Sequence, residues 1–193
     1  MLLLQNLSKY QIVLASQSPR RIQFLKDLGL TFTVEPTQVD ETFDNHLKAN
    51  DITDYLCDLK ANAFQFKNDN QLIITCDTIV WNSDKALNKP ENFEEAFEMI
   101  SSLKNKTHQV ISSICIKTKD KKVIINDCTE VTFSNLTDEE ITFYINTYQP
   151  FDKAGAYGIQ EWIGLIGIEK INGSYTNVVG MPMEKLYQAL KQF

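Results

Sequence analysis

The run "LIITCDTIVW" (72–81) is apolar at nearly every position. A half-buried strand alternates apolar with polar residues, because successive side chains leave opposite faces. A strand apolar on both faces belongs at the centre of a sheet covered on both sides, as in α/β proteins. The flanking segments agree with that reading. "QIVLAS" (11–16) is a first strand, after which Ser18 is an N-cap and Pro19 a first helical position. Ile22, Leu25 and Leu28 then recur at helical spacing, and Gly29 closes the helix. "TFTVEP" (31–36) is a second strand, 37–50 a polar acidic loop, and Thr53 the cap of a helix over 54–66. Residues 82–90 form a turn before a helix capped by Asn92 with Glu95. "HQVISSICIKT" (108–118) and "KVIINDCTEVTF" (122–133) flank the charged "KDKK" as a hairpin. Thr137 and Glu140 form a capping box ahead of "ITFYINTY" (141–148). A glycine-bearing loop (152–160), a strand near 163–170, a turn at "NGS" and a last helix opened by Pro182 complete the chain. Interleaved strands and helices with one antiparallel hairpin make an α/β chain with a mixed sheet.

The 193 residues suffice for one large domain or a two-lobed single domain, and no repeat, linker or low-complexity tract divides them. The formal charge of −6, with lysines scattered, argues against a nucleic-acid partner, which needs a basic face. "MLLL" is too short for a signal peptide, and no apolar run reaches membrane-spanning length. Cys57, Cys76, Cys115 and Cys128 form no C-x-x-C pair. They read as reduced, largely buried thiols, so the cytoplasm is the expected compartment.

Two features carry chemistry. The first is "LASQSPRR" (14–21), which puts Arg20 and Arg21 in a helix's first turn. That end of a helix carries unpaired N–H groups and the positive end of the macrodipole, so cations are misplaced there. They are either solvated surface residues or a site for an anion such as phosphate, and a strand–turn–helix passage with two of them favours the anion. The second is Asp77, which interrupts the central strand. A buried carboxylate must be paired, protonated or bound to a metal. The alternative is a structural aspartate hydrogen-bonded to backbone. Glu41, in the acidic loop, would complete an oxygen-ligand site for Mg²⁺ or Mn²⁺ if it faces Asp77. Lys60 sits among apolar residues on a helix, Lys89 precedes Pro90, and Lys153 lies in a loop where Gly155 and Gly158 allow close backbone approach. Each alone reads as a surface lysine, yet phosphate chemistry needs such point charges beside a metal. His46 and His108 have no serine or cysteine elbow near them, which leaves a hydrolytic triad unsupported.

"LASQSPRR", "CDTIV", "NKPENFEEAFEMI", "THQV", "DKAGAYGIQ" and "INGSYTNVVGMP" stand in an order that resembles the Maf family of nucleoside triphosphate pyrophosphatases, from about Leu14 to Leu190. The resemblance implies a two-lobed single domain over residues 1–193, built around an elongated mixed sheet with flanking helices and an active-site cleft between lobes. The implied reaction is metal-dependent hydrolysis between the α- and β-phosphates of a nucleotide. Asp77 is then the proton acceptor, with Glu41 and Asp77 as ligands of the divalent metal. Ser16, Arg20 and Arg21 cradle the triphosphate, Lys60, Lys89 and Lys153 form a charged shell, and Arg20, Thr78 and Gln160 are tied to specificity. The motifs resemble the dTTP/UTP-preferring subgroup, and a homodimer is implied. Two positions depart from the pattern: Tyr55 stands where many members have arginine, and Asn105 where the pattern G-x-x-H-x-V has glycine. A nucleotide-binding regulator of cell division without turnover is the competing class, and a nonspecific phosphatase a weaker third. Retention of Asp77, Glu41 and the lysines together favours the enzyme, because a pure binder has no need of a carboxylate in mid-strand.

Overall fold

The computed structural model describes residues 6–193, and the "MLLL" stretch lies outside them. The strands among the described residues are β1 (Gln11–Leu14), β2 (Phe32–Val34), β3 (Gln71–Asn82), β4 (Lys85–Leu87), β5 (Thr107–Lys117), β6 (Lys122–Phe133) and β7 (Ile168–Asn172). They form one seven-stranded sheet in the order β2-β1-β3-β5-β6-β7, with β4 paired to β3. β1 runs parallel to both β2 and β3, setting Ile12 opposite Phe32 and Leu72. β4 on β3 and β7 on β6 are antiparallel, so the sheet is mixed, as the sequence pattern predicts. β3 is buried continuously from Gln71 to Asp77, which is why its sequence is apolar on both faces.

The chain gathers into two compact units. The first holds the chain through Asp77 with Ser112–Asp127 and Gly180–Phe193, and the second holds Thr78–Ile111 and Cys128–Val179. β3, β5 and β6 each contribute residues to both, so no linker marks a boundary. In the first unit, alternate strand residues serve two cores. Leu14, Leu72, Ile74, Ile114 and Ile116 meet Leu25 of the helix Pro19–Asp27 and Leu186 and Leu190 of the helix Met183–Leu190. Val13, Ile73 and Cys115 point the other way, onto Cys57 and Ala61 of the helix Asn50–Ala63. The second unit packs Ala96, Ile100 and Leu103 of the helix Phe93–Leu103 with Ile141, Tyr144 and Ile145 of the helix Asp138–Tyr148, against Val110, Val131 and Phe133.

Several local expectations need correction. Ser18 occupies the N-cap of Pro19–Asp27, but its side chain makes no capping bond. The other end of that helix follows the sequence closely. Gly29 takes φ +76°, its N–H donates to Lys26 O at 2.8 Å, and the Leu30 N–H donates to Leu25 O at 3.1 Å, a Schellman closure. Thr53 is not a cap, because its helix already begins at Asn50. Its hydroxyl donates to Asn50 O at 3.1 Å and lies 2.6 Å from Ser113 Oγ, tying the helix to β5. The turn at 82–90 contains β4. The segment near 163–170 is not one strand: Trp162–Gly167 is helical, and β7 starts at Ile168. Asn105 has φ +53°, which accounts for a glycine pattern at this position and for asparagine as its substitute, since asparagine tolerates left-handed backbone better than most residues.

Candidate active site

The central strand presents Asp77 at the end of its fully buried stretch, with only 7% of the residue exposed. Its Oδ1 accepts a hydrogen bond from Lys60 Nζ at 2.6 Å. The same ammonium pairs with Glu41 Oε2 at 3.0 Å. Two acids 36 positions apart in sequence therefore meet on one cation. The helix Asn50–Ala63 puts Lys60 in its last turn, where the macrodipole favours a cation. Burial lowers the Lys60 pKa, but Asp77 and then Glu41 outweigh it and leave it above its ordinary value. The lysine stays charged, and a buried carboxylate has the partner it requires.

The turn after β1 is organised by Ser16, whose Oγ accepts from the Ser18 N–H at 3.3 Å. Arg21 then answers part of the dipole puzzle in a way its sequence context does not reveal. Its Nη1 donates to Cys76 O at 2.6 Å and to Ser16 Oγ at 3.5 Å, and its Nε donates to Gly180 O at 3.0 Å. Backbone carbonyls supply the negative ends that the helix start does not. The bond to Cys76 fixes the peptide immediately before Asp77. Arg20 is half-buried on the same first turn, which holds no acidic residue.

The remaining expected residues belong to the second unit. Thr78 is half-buried on β3, Lys89 is exposed, and Gln160 is exposed at the end of the 152–160 loop. Lys153 is 8% exposed, and its Nζ lies 2.7 Å from Asp152 Oδ1 and 3.0 Å from Glu161 Oε1. Glu161 also accepts from the Tyr144 hydroxyl, which itself accepts from the Gly158 N–H at 3.0 Å. Gly155 has φ +68°, and a Cβ there would stand 2.7 Å from Val80 Cγ2, so both conformation and space call for glycine. His108 lies between the rings of Phe133 and Tyr157 with Nε2 2.8 Å from Tyr157 Oη. Among the described residues its Nδ1 has no hydrogen-bond partner. Sequence reasoning did not single out Tyr144 or Glu161: one is a tyrosine inside a core helix, the other an acid among many.

Among the described residues, no group of three or more His, Cys, Asp or Glu side chains clusters to hold a metal. Glu41 and Asp77 nevertheless converge on Lys60 and supply hard oxygens. Two carboxylates suit Mg²⁺ or Mn²⁺ that takes its remaining ligands from substrate phosphate and water. Glu41 and Asp77 are the residues that would hold such an ion.

The profile of the family described as "Maf-like protein" matches residues 11–193. The chain is 52% identical over 190 residues to the dTTP/UTP pyrophosphatase of Flavobacterium johnsoniae, covering 98% of each chain. To that of Flavobacterium psychrophilum it is 55% identical over 178 residues, 92% of this chain and 91% of the other. To that of Parabacteroides distasonis it is 49% identical over 193 residues, 99% of this chain and 100% of the other. With a match that runs from β1 to the last residue, the chain belongs to the Maf family.

Proposed function

We propose that this protein hydrolyses dTTP and UTP to the nucleoside monophosphate and pyrophosphate. The observation that carries the reading is the buried Asp77 carboxylate held by Lys60 together with Glu41. Water attacks the α-phosphorus, its proton passes to Asp77, and the bond to the α–β bridging oxygen breaks to release pyrophosphate. Lys60 fixes Oδ1 and so orients the carboxylate for that proton. A divalent ion held by Glu41 and Asp77 would offset charge on the phosphates. Ser16, Arg20 and Arg21 hold the phosphate chain, with Arg21 also anchoring the Cys76 peptide beside the base. Lys89 and Lys153 supply further positive charge. Thr78 and Gln160 act in base selection, for which a Gln amide offers both a donor and an acceptor to a uracil or thymine edge. The names of the relatives support the choice of base.

The substrate is a free nucleotide rather than a nucleic acid, in keeping with the net charge of −6. No described helix is long and apolar enough to cross a membrane. The family resemblance supports a cytoplasmic homodimer. Product analysis with a nucleotide panel and Mg²⁺ or Mn²⁺ tests the reading. Pyrophosphate should appear, with kcat/KM for dTTP and UTP well above that for dATP, GTP and CTP. Orthophosphate as the first product, or binding with no product, would overturn it.

A further inference from the structure

Gln160 does not stand alone at the end of its loop. An ideal Cβ on Gly158 would lie 2.9 Å from Gln160 Nε2, 2.9 Å from Glu161 Oε2 and 2.8 Å from Glu161 Cδ. The Gln160 amide and the Glu161 carboxylate thus both lie over the side of Gly158 that lacks a side chain, and the Glu161 N–H donates to Gly158 O at 2.9 Å to close the turn that carries Gln160. The Tyr144 hydroxyl ties the two ends of that turn together. It accepts from the Gly158 N–H at 3.0 Å and donates to Glu161 Oε2. Lys153 holds the other carboxylate oxygen at 3.0 Å. Tyr144 is itself fully buried on the helix Asp138–Tyr148, with its ring stacked on Tyr148 at 5.3 Å.

We propose that Tyr144 and Glu161 are positioning residues for base selection, setting where the Gln160 amide stands. This rests on the reading of Gln160 as the group that meets the base. A misdirected amide would still touch a pyrimidine but would no longer separate uracil, with its C4 carbonyl, from cytosine, with its C4 amine. Burial, with Glu161 beside it, pushes the Tyr144 phenol up, so it remains a donor at every working pH.

The test compares kcat and KM for UTP and CTP in the wild type, Gln160→Glu, Tyr144→Phe, Glu161→Ala and the control Tyr148→Phe, with melting curves for each. Tyr144→Phe and Glu161→Ala should each cut the UTP-over-CTP ratio of kcat/KM by about tenfold, the scale of one lost hydrogen bond. The kcat for UTP should fall much less, and Tyr148→Phe should keep the wild-type ratio. A merely structural role would lower stability and leave the ratio intact, and that outcome in either folded variant overturns the proposal. If Tyr144→Phe does not fold, Glu161→Ala alone decides. A wild type that treats UTP and CTP alike, or a Gln160→Glu that keeps the preference, overturns the underlying reading of base selection instead.

Discussion

His108 is a buried residue whose charge a modest change of pH can reach. Burial lowers its pKa from 6.5 to about 4, and its neighbours are the Phe133 and Tyr157 rings. Between those values the unfolded chain binds a proton that the native protein does not. Stability is therefore in place above about pH 6.5 and is lost as the pH falls toward 4, by roughly 3 kcal/mol at most. Urea unfolding between pH 7 and 4.5 should show that decline in the wild type and a shallower one in His108→Phe. Parallel curves would show that His108 does not carry the effect. The histidine is conspicuous in the sequence as "THQV", yet its burial and its bond to Tyr157 depend on a loop 49 residues away.

Among the elements, two helices start on hydroxyl residues with different consequences. Thr137 makes both bonds of a capping box, its Oγ1 accepting from the Glu140 N–H at 3.2 Å while Glu140 Oε2 accepts from the Thr137 N–H at 2.7 Å. Ser18 makes no such bond. Thr137→Ala should cost about 1 kcal/mol in chemical denaturation, and Ser18→Ala less than about 0.5 kcal/mol. Equal losses would contradict the assignment of the caps. The Thr137 capping box, the Asn92 cap and the apolar strand runs were legible because their signals are local. The helix Trp162–Gly167 was not, since "WIGLI" has the composition of a strand. It is fixed instead by the turn before it, where the Glu161 N–H donates to Gly158 O and the Gly164 N–H to Glu161 O, both at 2.9 Å. Gly164 has to be glycine there, because a Cβ would stand 1.7 Å from Ile159 O. Tertiary packing outweighed propensity there, and likewise at Thr53, which serves Ser113 rather than a helix start.

At the scale of the whole molecule, the family motifs singled out the candidate residues but not the contacts that hold them. Asp77 stood out as a charge in a hydrophobic strand, and the arginines as cations at the wrong end of a helix. That Lys60 would join Asp77 to Glu41, or that Arg21 would grip the carbonyls of Cys76 and Gly180, depends on contacts between distant segments. No linker marks the boundary between the two units, because three strands pass through both. The central claim is that Asp77 is the base of a nucleotide pyrophosphatase. Asp77→Asn keeps the size of the side chain and can still accept from Lys60, so the fold should persist with Tm within about 5 °C of the wild type. Pyrophosphate release from dTTP in Mg²⁺ should drop at least about a hundredfold, the scale of a lost general base. A folded Asp77→Asn that releases pyrophosphate at the wild-type rate would contradict the claim.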